Sequence, residues 1–412
     1  MCDRKDRGMR INSLNKQSRD GRVFVSSLVE GKKIKESIFF SVPDSYGQYL
    51  VDEVDDAFIY ALMLPALVNG EDIECTNVTE SVRYHFDTIM YLFGKVFGYP
   101  PIKLKAQNVI NPQFHPVAVG TGFSGGVDSF ATFIHHTSED CPESFKITQL
   151  CLFNIGSYGN DYSNTSLVLQ KDLERAKQFA GDVKFPLLDL DSNLSSIYTH
   201  KDIYTFSLRS TICLSAGVIA LGKLFKTYFI SSSGTIDDMK LSKWDQYFYE
   251  NSLTQLLSTE TTQVLIAEAN LDRVEKTRTF ITNPIAEKYL YVCAADIFNE
   301  KQGTHFVKGD YPNCSECLKC VRTLLTLDFL GILDKYADRF DLVKYRKNKE
   351  KYVFEVFRDY REDHFKNELR NLILSTGYQL DKSMERKLAR LERQRKINAV
   401  KGLIMSIIRR IF

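Results

Sequence analysis

The sequence lacks any apolar run long enough to cross a membrane, and its first twenty residues contain no apolar segment of the secretory-signal kind. It has one tryptophan, and its 54 basic and 52 acidic residues leave a formal net charge of only +2. A nearly neutral chain does not attract nucleic acid over its whole surface. The composition also lacks the bias of disordered or fibrous proteins. From these features we expect a cytoplasmic globular protein. Its length of 412 residues is enough for two or three domains.

The nine cysteines are an odd number, which argues against a disulfide framework. Cys314, Cys317 and Cys320 stand at C-x₂-C-x₂-C spacing, and Cys293 is the obvious fourth ligand. Tetrahedral Zn²⁺ favours four thiolates, although an iron–sulfur cluster uses a similar spacing. A helical pattern begins at the third cysteine of the run and no proline follows it, which favours zinc. Four protein ligands close such a site, so we expect a structural role.

The first hundred residues read as an α/β unit behind a short tail. Residues 1–20 are polar and are predicted to be loose, whereas residues 22–42 alternate like a β-hairpin. Helical patterns and one extended segment follow, at residues 55–67, 79–96 and 102–109. We expect an N-terminal accessory unit over residues 21–113.

The middle of the chain alternates strands with helices, which predicts βαβ units and a parallel, doubly wound α/β sheet over residues 114–284. The predicted strands are 116–123, 147–153, 185–190, 228–232 and 264–267, and the helices are 127–136, 163–179 and 207–224. Such sheets bind ligands outside the carboxyl ends of their strands. Residues 285–335 should then form a zinc-binding subdomain, and residues 336–412 a charged helical region.

The segment GTGFSGGVDS, residues 120–129, lies between the first predicted strand of this sheet and its helix. It satisfies the G-x-S-x-G pattern of a serine hydrolase, with Ser124 as nucleophile. That reading needs a later acid and histidine, and no local context marks His200, His305 or His364 as catalytic. A Walker A loop is excluded because no lysine follows the glycines. The match to a dinucleotide fingerprint is weak, because no acidic residue ends the next strand.

A phosphate-binding loop explains more of the same residues. Gly125 and Gly126 let backbone N–H groups approach pyrophosphate oxygens, and the following helix adds its positive N-terminal end. Ser124 and Ser129 offer hydroxyl groups, and Asp128 can hold Mg²⁺. We therefore interpret Ser124 as a phosphate ligand.

Residues 124–129, Ser-Gly-Gly-Val-Asp-Ser, resemble the S-G-G-x-D-S signature of the PP-loop ATP pyrophosphatase family. The resemblance implies an adenine nucleotide alpha hydrolase-like fold, with Mg²⁺ and cleavage of ATP to AMP and pyrophosphate. A carboxylate or amide of the substrate would be adenylated, and an amine or ammonia would then displace AMP. The implied nucleotide-binding residues are Phe123, Ser124, Gly125, Gly126, Val127, Asp128 and Ser129.

The cysteine-bearing segment extends this resemblance. A PP-loop domain followed by four cysteines is similar to 7-cyano-7-deazaguanine synthase-like proteins, and residues 313–324 resemble the related muropeptide (UDP-MurNAc-Ala-Glu) epimerase group. The first group implies an AMP-forming, ligase-type enzyme acting on a small or peptide-like acid. The second implies epimerisation of an activated terminal glutamate. A tRNA- or protein-modifying enzyme of the same class stays open, including a thiolating one that would use Cys151 or Cys213. A non-catalytic nucleotide-binding scaffold also stays open.

Further candidates follow the other predicted strands. Arg209 begins a helix near the expected ligand edge and is a candidate catalytic contact for phosphate or carboxylate, or else an exposed helix-start arginine. Residues 231–235 should line the same crevice, and Asp237 and Asp238 would hold a second metal or cap the next element. Lys276 is a third candidate catalytic residue beside Asp128 and Arg209. Lys276 and Arg278 also fit a solvated helix face.

The C-terminal residues 381–412 contain ten basic and three acidic residues. Apolar residues recur there at helical spacing, at Val400, Leu403, Ile404, Ile407, Ile408 and Ile411. Such a helix suits an anionic surface. Packing against the protein's own body, a partner protein or the second subunit of a homodimer explains it equally well. Aromatic residues are absent from its pattern, which disfavours nucleic acid without excluding it.

Overall fold

The computed structural model of the chain describes residues 8–156, 162–198, 206–293 and 311–411. The chain divides into two compact units, Met1–Asp272 and Arg273–Phe412. The predicted boundary at residue 113 does not separate units, because the segments on both sides of it belong to the first unit. The next boundary, predicted at residue 284, lies at residue 272 instead.

The first unit is built on one large, mostly parallel sheet, so the chain is an α/β protein. The strands of the described residues are β1 (Gly8–Ile11), β2 (Asn15–Arg19), β3 (Arg22–Glu30), β4 (Lys35–Pro43), β5 (Asp72–Val78), β6 (Leu104–Val109), β7 (Ala118–Gly122), β8 (Gln149–Asn154), β9 (Leu187–Ser192), β10 (Phe225–Ser231) and β11 (Gln263–Ala267). Their order is β11-β10-β7-β8-β9-β4-β3-β1-β5-β6, with β2 paired to β3.

Five strands, β7 to β11, form the parallel part that the alternating pattern predicts. In β8 every residue is buried, as expected for a strand covered on both faces. β9 is next to β8 on one side and pairs antiparallel with β4 on the other, through Phe40 opposite Ser192. Arg22 Nη1 also donates to Asp189 Oδ2 at 2.6 Å. These contacts join the predicted accessory unit to the parallel strands in one continuous sheet.

The prediction of a loose tail over residues 1–20 is wrong for two described segments, which are strands β1 and β2. β1 lies between β3 and β5, and its Met9 and Ile11 side chains are buried. Only two apolar side chains mark this strand, so its pairing with distant strands decides its structure. β2 has no fully buried side chain, and its composition gives no strand signal.

Six helices described in the first unit are α1 (Asp56–Asn69), α2 (Glu80–Phe97), α3 (Val127–Thr137), α4 (Tyr162–Val183), α5 (Phe206–Ala220) and α6 (Gln246–Leu253). Residues 56–67 of α1 are all buried, which identifies a core helix. Thr79 caps α2 by accepting from Val82 N, so the predicted start is confirmed. α4 continues through Gly181, where the sequence predicted an end near residue 179. α6 was not predicted.

The second unit is helical. Its described helices are α7 (Arg273–Phe280), α8 (Pro284–Tyr289), α9 (Leu318–Phe329), α10 (Leu342–Asp359), α11 (His364–Ser375) and α12 (Lys382–Ile411). The charged helical region predicted after residue 336 is therefore present. No helix in the described part of either unit is long and apolar enough to cross a membrane.

Candidate functional site

The loop at residues 123–126 connects β7 to α3 through a backbone geometry that requires glycine. Gly125 has φ of +77°, in the left-handed region that other residues rarely adopt. Gly126 is the N-cap of α3, and no side chain caps the helix from that position. The loop therefore presents the N-terminal end of α3, with its positive partial charge, without an N-cap side chain in front of it.

Two serine hydroxyl groups converge on this loop. Ser124 Oγ lies 3.2 Å from Ser129 Oγ and accepts from Gly126 N at 3.3 Å. Ser129 is buried and donates from Oγ to Gly126 O at 3.0 Å, whereas Ser124 is exposed. The Ser124 hydroxyl is thus held by the loop and the helix start. This arrangement is not the serine–histidine pair of a nucleophile elbow.

The candidate histidines of the hydrolase hypothesis are not described beside Ser124. His200 and His305 lie outside the described residues, and His364 belongs to the second unit. The two histidines of α3 contact the carboxylate of Glu268.

The loop lies at the point where the direction of the sheet connections reverses. From β7 the chain adds β8 and β9 on one side, and β10 and β11 on the other. A crevice forms outside the carboxyl ends of parallel strands at such a switch point, and ligands of open α/β sheets bind there. The topology therefore places the exposed Ser124 at the usual ligand-binding edge.

Two residues predicted to bind nucleotide have side chains in the core instead. The Phe123 ring stacks on Phe179 with centroids 3.7 Å apart and packs against Phe130 and Phe133. Its backbone N–H donates to Cys151 O at 2.9 Å. Val127 is 1% exposed. Neither side chain can contact a ligand in the crevice, so these residues fix the position of the loop.

A buried carboxyl group that the sequence did not reveal lies beneath the segment after β10. Glu250, on α6, is 2% exposed and accepts from Ser233 N at 3.1 Å, Ser233 Oγ at 3.0 Å and Gln246 Nε2 at 2.6 Å. Burial raises the pKa of Glu250 to about 7, and the charge of Asp128 adds to the rise. Glu250 therefore holds Ser233, in the predicted 231–235 segment, in place. It also lies close enough to Asp128, in the first turn of α3, for the charge of that residue to affect its pKa.

The other residues after β10 serve local structure. Ser232 Oγ donates to Gly234 O, and a Cβ on Gly234 would lie 2.5 Å from the Tyr247 ring. Thr235 Oγ1 donates to Asp238 Oδ2 at 2.8 Å, so the Asp238 carboxylate is held by a local contact, and its predicted metal-binding or capping role stays a prediction. Asp237 lies in the same short 3₁₀ turn. The segment is thus a rigid wall at the carboxyl end of β10.

Arg209 is buried near the carboxyl end of β8, the strand next to β7. A Cβ on Gly156, two residues beyond β8, would lie 3.8 Å from Arg209 Cδ and Nε. The alternative of an exposed helix-start arginine is wrong, because Arg209 is 7% exposed. Its predicted contact with phosphate or carboxylate stays a prediction.

The two α7 candidates differ from each other. Lys276 is 1% exposed, so a solvated helix face does not describe it, whereas Arg278 is exposed. Both belong to the second unit. The predicted catalytic role of Lys276 therefore stays a prediction.

Four cysteines of the second unit form a cluster that can hold a metal such as zinc. The sulfur atoms of Cys293, Cys314, Cys317 and Cys320 lie within 4.8 Å of one another, and those of Cys314 and Cys320 are 3.8 Å apart. Ligands at about 2.3 Å from a tetrahedral centre are about 3.8 Å apart, so this separation fits zinc–thiolate bonds. Neighbouring Cys293 lowers the pKa of Cys314 to about 6, while the same thiol raises that of Cys320.

The cysteine cluster is held by a polar framework. Asn313 Oδ1 accepts from Val292 N at 2.8 Å and from Cys293 N at 3.1 Å, which ties the distant fourth cysteine to the other three. Ser315 has φ of +61°, and its hydroxyl accepts from Asp341 N at 2.8 Å. Cys317 is the N-cap of α9 and Cys320 lies in its first turn. Asn313 thus holds Cys293 beside the other three cysteines, although Cys293 is distant from them in sequence.

The two thiols considered for sulfur transfer are both buried, and burial disfavours the reactive thiolate form. Burial raises the pKa of Cys151 well above its ordinary value. It also raises the pKa of Cys213 to about 12. A nucleophilic cysteine needs the opposite shift.

The C-terminal helix α12 has an exposed basic and apolar surface in its described side chains. Leu391, Ile397, Val400 and Met405 are all more than one third exposed. Arg361 donates from Nη1 to Glu392 at 2.7 Å, an ion pair within the second unit. The prediction that this helix docks on a partner or an anionic surface stays a prediction.

Comparison of the chain with protein-family models, curated proteins and solved structures gives no match.

Proposed function

We propose that the chain is an AMP-forming enzyme of the PP-loop ATP pyrophosphatase class. The observation that carries the proposal is the loop after β7, where Gly125, the Ser124–Ser129 hydroxyl pair and an N-terminus of α3 without an N-cap side chain meet at the switch point. The order β11-β10-β7-β8-β9 supports the finer assignment to an adenine nucleotide alpha hydrolase-like fold. Together these features suit a pyrophosphate group better than a serine nucleophile.

In this proposal, the loop binds the β- and γ-phosphates of ATP as they become pyrophosphate. Backbone N–H groups and the Ser124 hydroxyl stabilise the negative charge on the leaving group, and Asp128 would hold the Mg²⁺ that neutralises part of it. An oxygen of the substrate carboxylate or amide attacks the α-phosphorus atom of ATP. The bond between that phosphorus atom and the oxygen bridging to the β-phosphate breaks, and pyrophosphate leaves. No nucleophile from the protein is needed.

Arg209 is the proposed contact for the substrate carboxylate or the α-phosphate, because it lies at the carboxyl end of β8 beside the loop strand. The nucleophile of the second step would be ammonia or another amine. Zinc in the four-cysteine cluster would stabilise the second unit, because all four ligands come from the protein and leave no open position.

Two alternatives within the class differ in the fate of the adenylate. In the epimerase reading, the activated terminal glutamate loses its α-proton in place of undergoing amine attack. In the macromolecule-modifying reading, the exposed basic helix α12 is the docking element for tRNA or protein. A thiolating version is disfavoured, because burial raises the pKa of both Cys151 and Cys213.

The proposal is tested by incubating the protein with Mg²⁺, a panel of carboxylic acids and ATP radiolabelled at the α-phosphate. Labelled AMP is expected with the correct acid, and labelled ADP would contradict adenylation. Deletion of residues 381–412 separates the alternatives: AMP formation on a small acid should persist, whereas modification of a tRNA or protein acceptor should be lost.

A further inference from the structure

A second cluster of metal-ligating side chains lies in the first unit, apart from the four cysteines. His135 and His136 end the helix α3, and Glu268 follows β11. His135 Nδ1 lies 2.9 Å from Glu268 Oε1, and His136 Nε2 lies 3.4 Å from the same oxygen. Two imidazoles of consecutive residues thus converge on one carboxylate oxygen.

The carboxylate of Glu268 is positioned by its own backbone and by a neighbouring hydroxyl. Glu268 has φ of +53°, a left-handed conformation that is uncommon for residues other than glycine. Its other oxygen, Oε2, accepts from Thr132 Oγ1 at 2.5 Å. Its side chain is 2% exposed. A hydroxyl that orients a buried carboxylate is the kind of supporting contact that metal ligands have.

The ring of His136 is held in place through its other nitrogen. His136 Nδ1 lies 3.2 Å from Phe145 O, and a carbonyl oxygen only accepts, so Nδ1 donates in that bond. The Cys141 thiol, 3.8 Å from the same nitrogen, donates to Pro142 O. Because Nδ1 is used in this way, Nε2 is the ring atom that faces Glu268 Oε1 and is available as a metal ligand.

The distances allow a metal ion beside the carboxylate. The three ligand atoms all lie within 4.8 Å of one another. Ligand atoms about 2.0–2.2 Å from a tetrahedral zinc ion are about 3.3 Å apart, which matches the 3.4 Å separation of His136 Nε2 from Oε1. The 2.9 Å separation of His135 Nδ1 from Oε1 is the length of a hydrogen bond, and it would lengthen on metal binding. The ring of His136 also packs on Phe229 with centroids 4.0 Å apart, which fixes its plane.

We propose that His135, His136 and Glu268 bind a divalent transition metal ion, with zinc the expected species. Two imidazoles and one carboxylate are a common ligand set for zinc sites that keep an open coordination position. The His135 side chain is 59% exposed, so water can complete the coordination from the solvent side. The site is independent of the proposed nucleotide loop and of the four-cysteine cluster.

The direct test uses the wild-type chain and needs no variant. The purified protein is saturated with zinc, dialysed against metal-free buffer, and examined for zinc content and for zinc X-ray absorption fine structure. We expect two zinc ions per chain and an average coordination shell that contains both sulfur and nitrogen or oxygen ligands. One zinc ion per chain in an all-sulfur shell would overturn the proposal and leave the two histidines as partners of Glu268 alone.

Variants then assign the site. His135→Gln and Glu268→Gln should each reduce zinc content from two to one and leave an all-sulfur shell. Thr132→Val should weaken binding at this site by about 10- to 100-fold, because it removes the hydroxyl that orients Glu268, and Thr132→Ser should restore it. Circular dichroism identifies variants that fail to fold. Folded variants that retain two zinc ions would show that the second ion binds elsewhere.

Discussion

Replacing Glu250 with glutamine removes a carboxyl group whose protonation is linked to folding. Burial raises the pKa of Glu250 from 4.5 to about 7. The difference of roughly 2.5, at about 1.36 kcal/mol per pKa unit, corresponds to about 3 kcal/mol. Because the pKa is raised in the folded state, the folded protein binds more protons than the unfolded chain between these two pH values. This stabilisation is complete below pH 4.5 and is lost as the pH rises through about 7.

The assay is urea unfolding of wild-type protein and Glu250→Gln at several pH values from 4.5 to 8. Trp244, the only tryptophan, lies shortly before α6 and provides a fluorescence signal from this part of the first unit. Wild-type stability minus variant stability should fall by about 3 kcal/mol across this range. The carboxyl group of Asp56, whose pKa burial also raises to about 7, is present in both proteins and cancels in the difference.

The structure also predicts where the two proteins differ least. A protonated carboxyl group and the amide of glutamine each combine an accepting oxygen with a donor, so they face Ser233 and Gln246 in a similar way. At the acid end of the pH range, the stabilities of the two proteins should therefore agree to within about 1 kcal/mol. A stability difference that does not change with pH would refute the reasoning, because it would show that the pKa of Glu250 is the same in the folded and the unfolded chain.

Two further predictions concern the loop and the cysteine cluster. Gly125→Ala should destabilise the loop by about 1–2 kcal/mol, because Gly125 has φ of +77°. The same variant should bind ATP more weakly in calorimetry. Gly181→Ala is the control, since no atom lies within 4 Å of its Cβ position, and it should change neither stability nor ATP binding. Cys317→Ser should lower the zinc released to a chromogenic chelator by one ion per chain and reduce the melting temperature of the second unit. Cys75→Ala, a buried cysteine outside the cluster, serves as control and should keep its zinc.

The sequence predicted much of the parallel sheet because its strands are marked by continuous apolar runs. β8 is buried on both faces and reads as such. β1 could not be predicted in the same way, because two buried residues, Met9 and Ile11, carry too little periodicity. Its strand conformation depends on hydrogen bonds to β3 and β5, which are remote in sequence.

The sequence could locate those parts of the candidate sites whose residues lie within one short segment. Residues 124–129 and the three closely spaced cysteines each lie within a few positions, so their spacing is informative. Glu250 and Glu268 could not be identified, because only the fold brings α6 to the segment after β10 and the end of β11 to the last turn of α3. Phe123 was assigned to the nucleotide by its place in the motif, but its side chain packs against Phe179, a contact formed by α4.

The central claim is that the loop after β7 activates a substrate by releasing pyrophosphate from ATP. The most direct measurement is exchange of radiolabelled pyrophosphate into ATP in the presence of Mg²⁺ and the acid substrate, for wild-type protein and Asp128→Ala. The account predicts acid-dependent exchange in the wild type and a loss of at least about 100-fold in the variant, since one preorganised electrostatic group is removed. Equal exchange in both proteins would contradict the assignment of this loop.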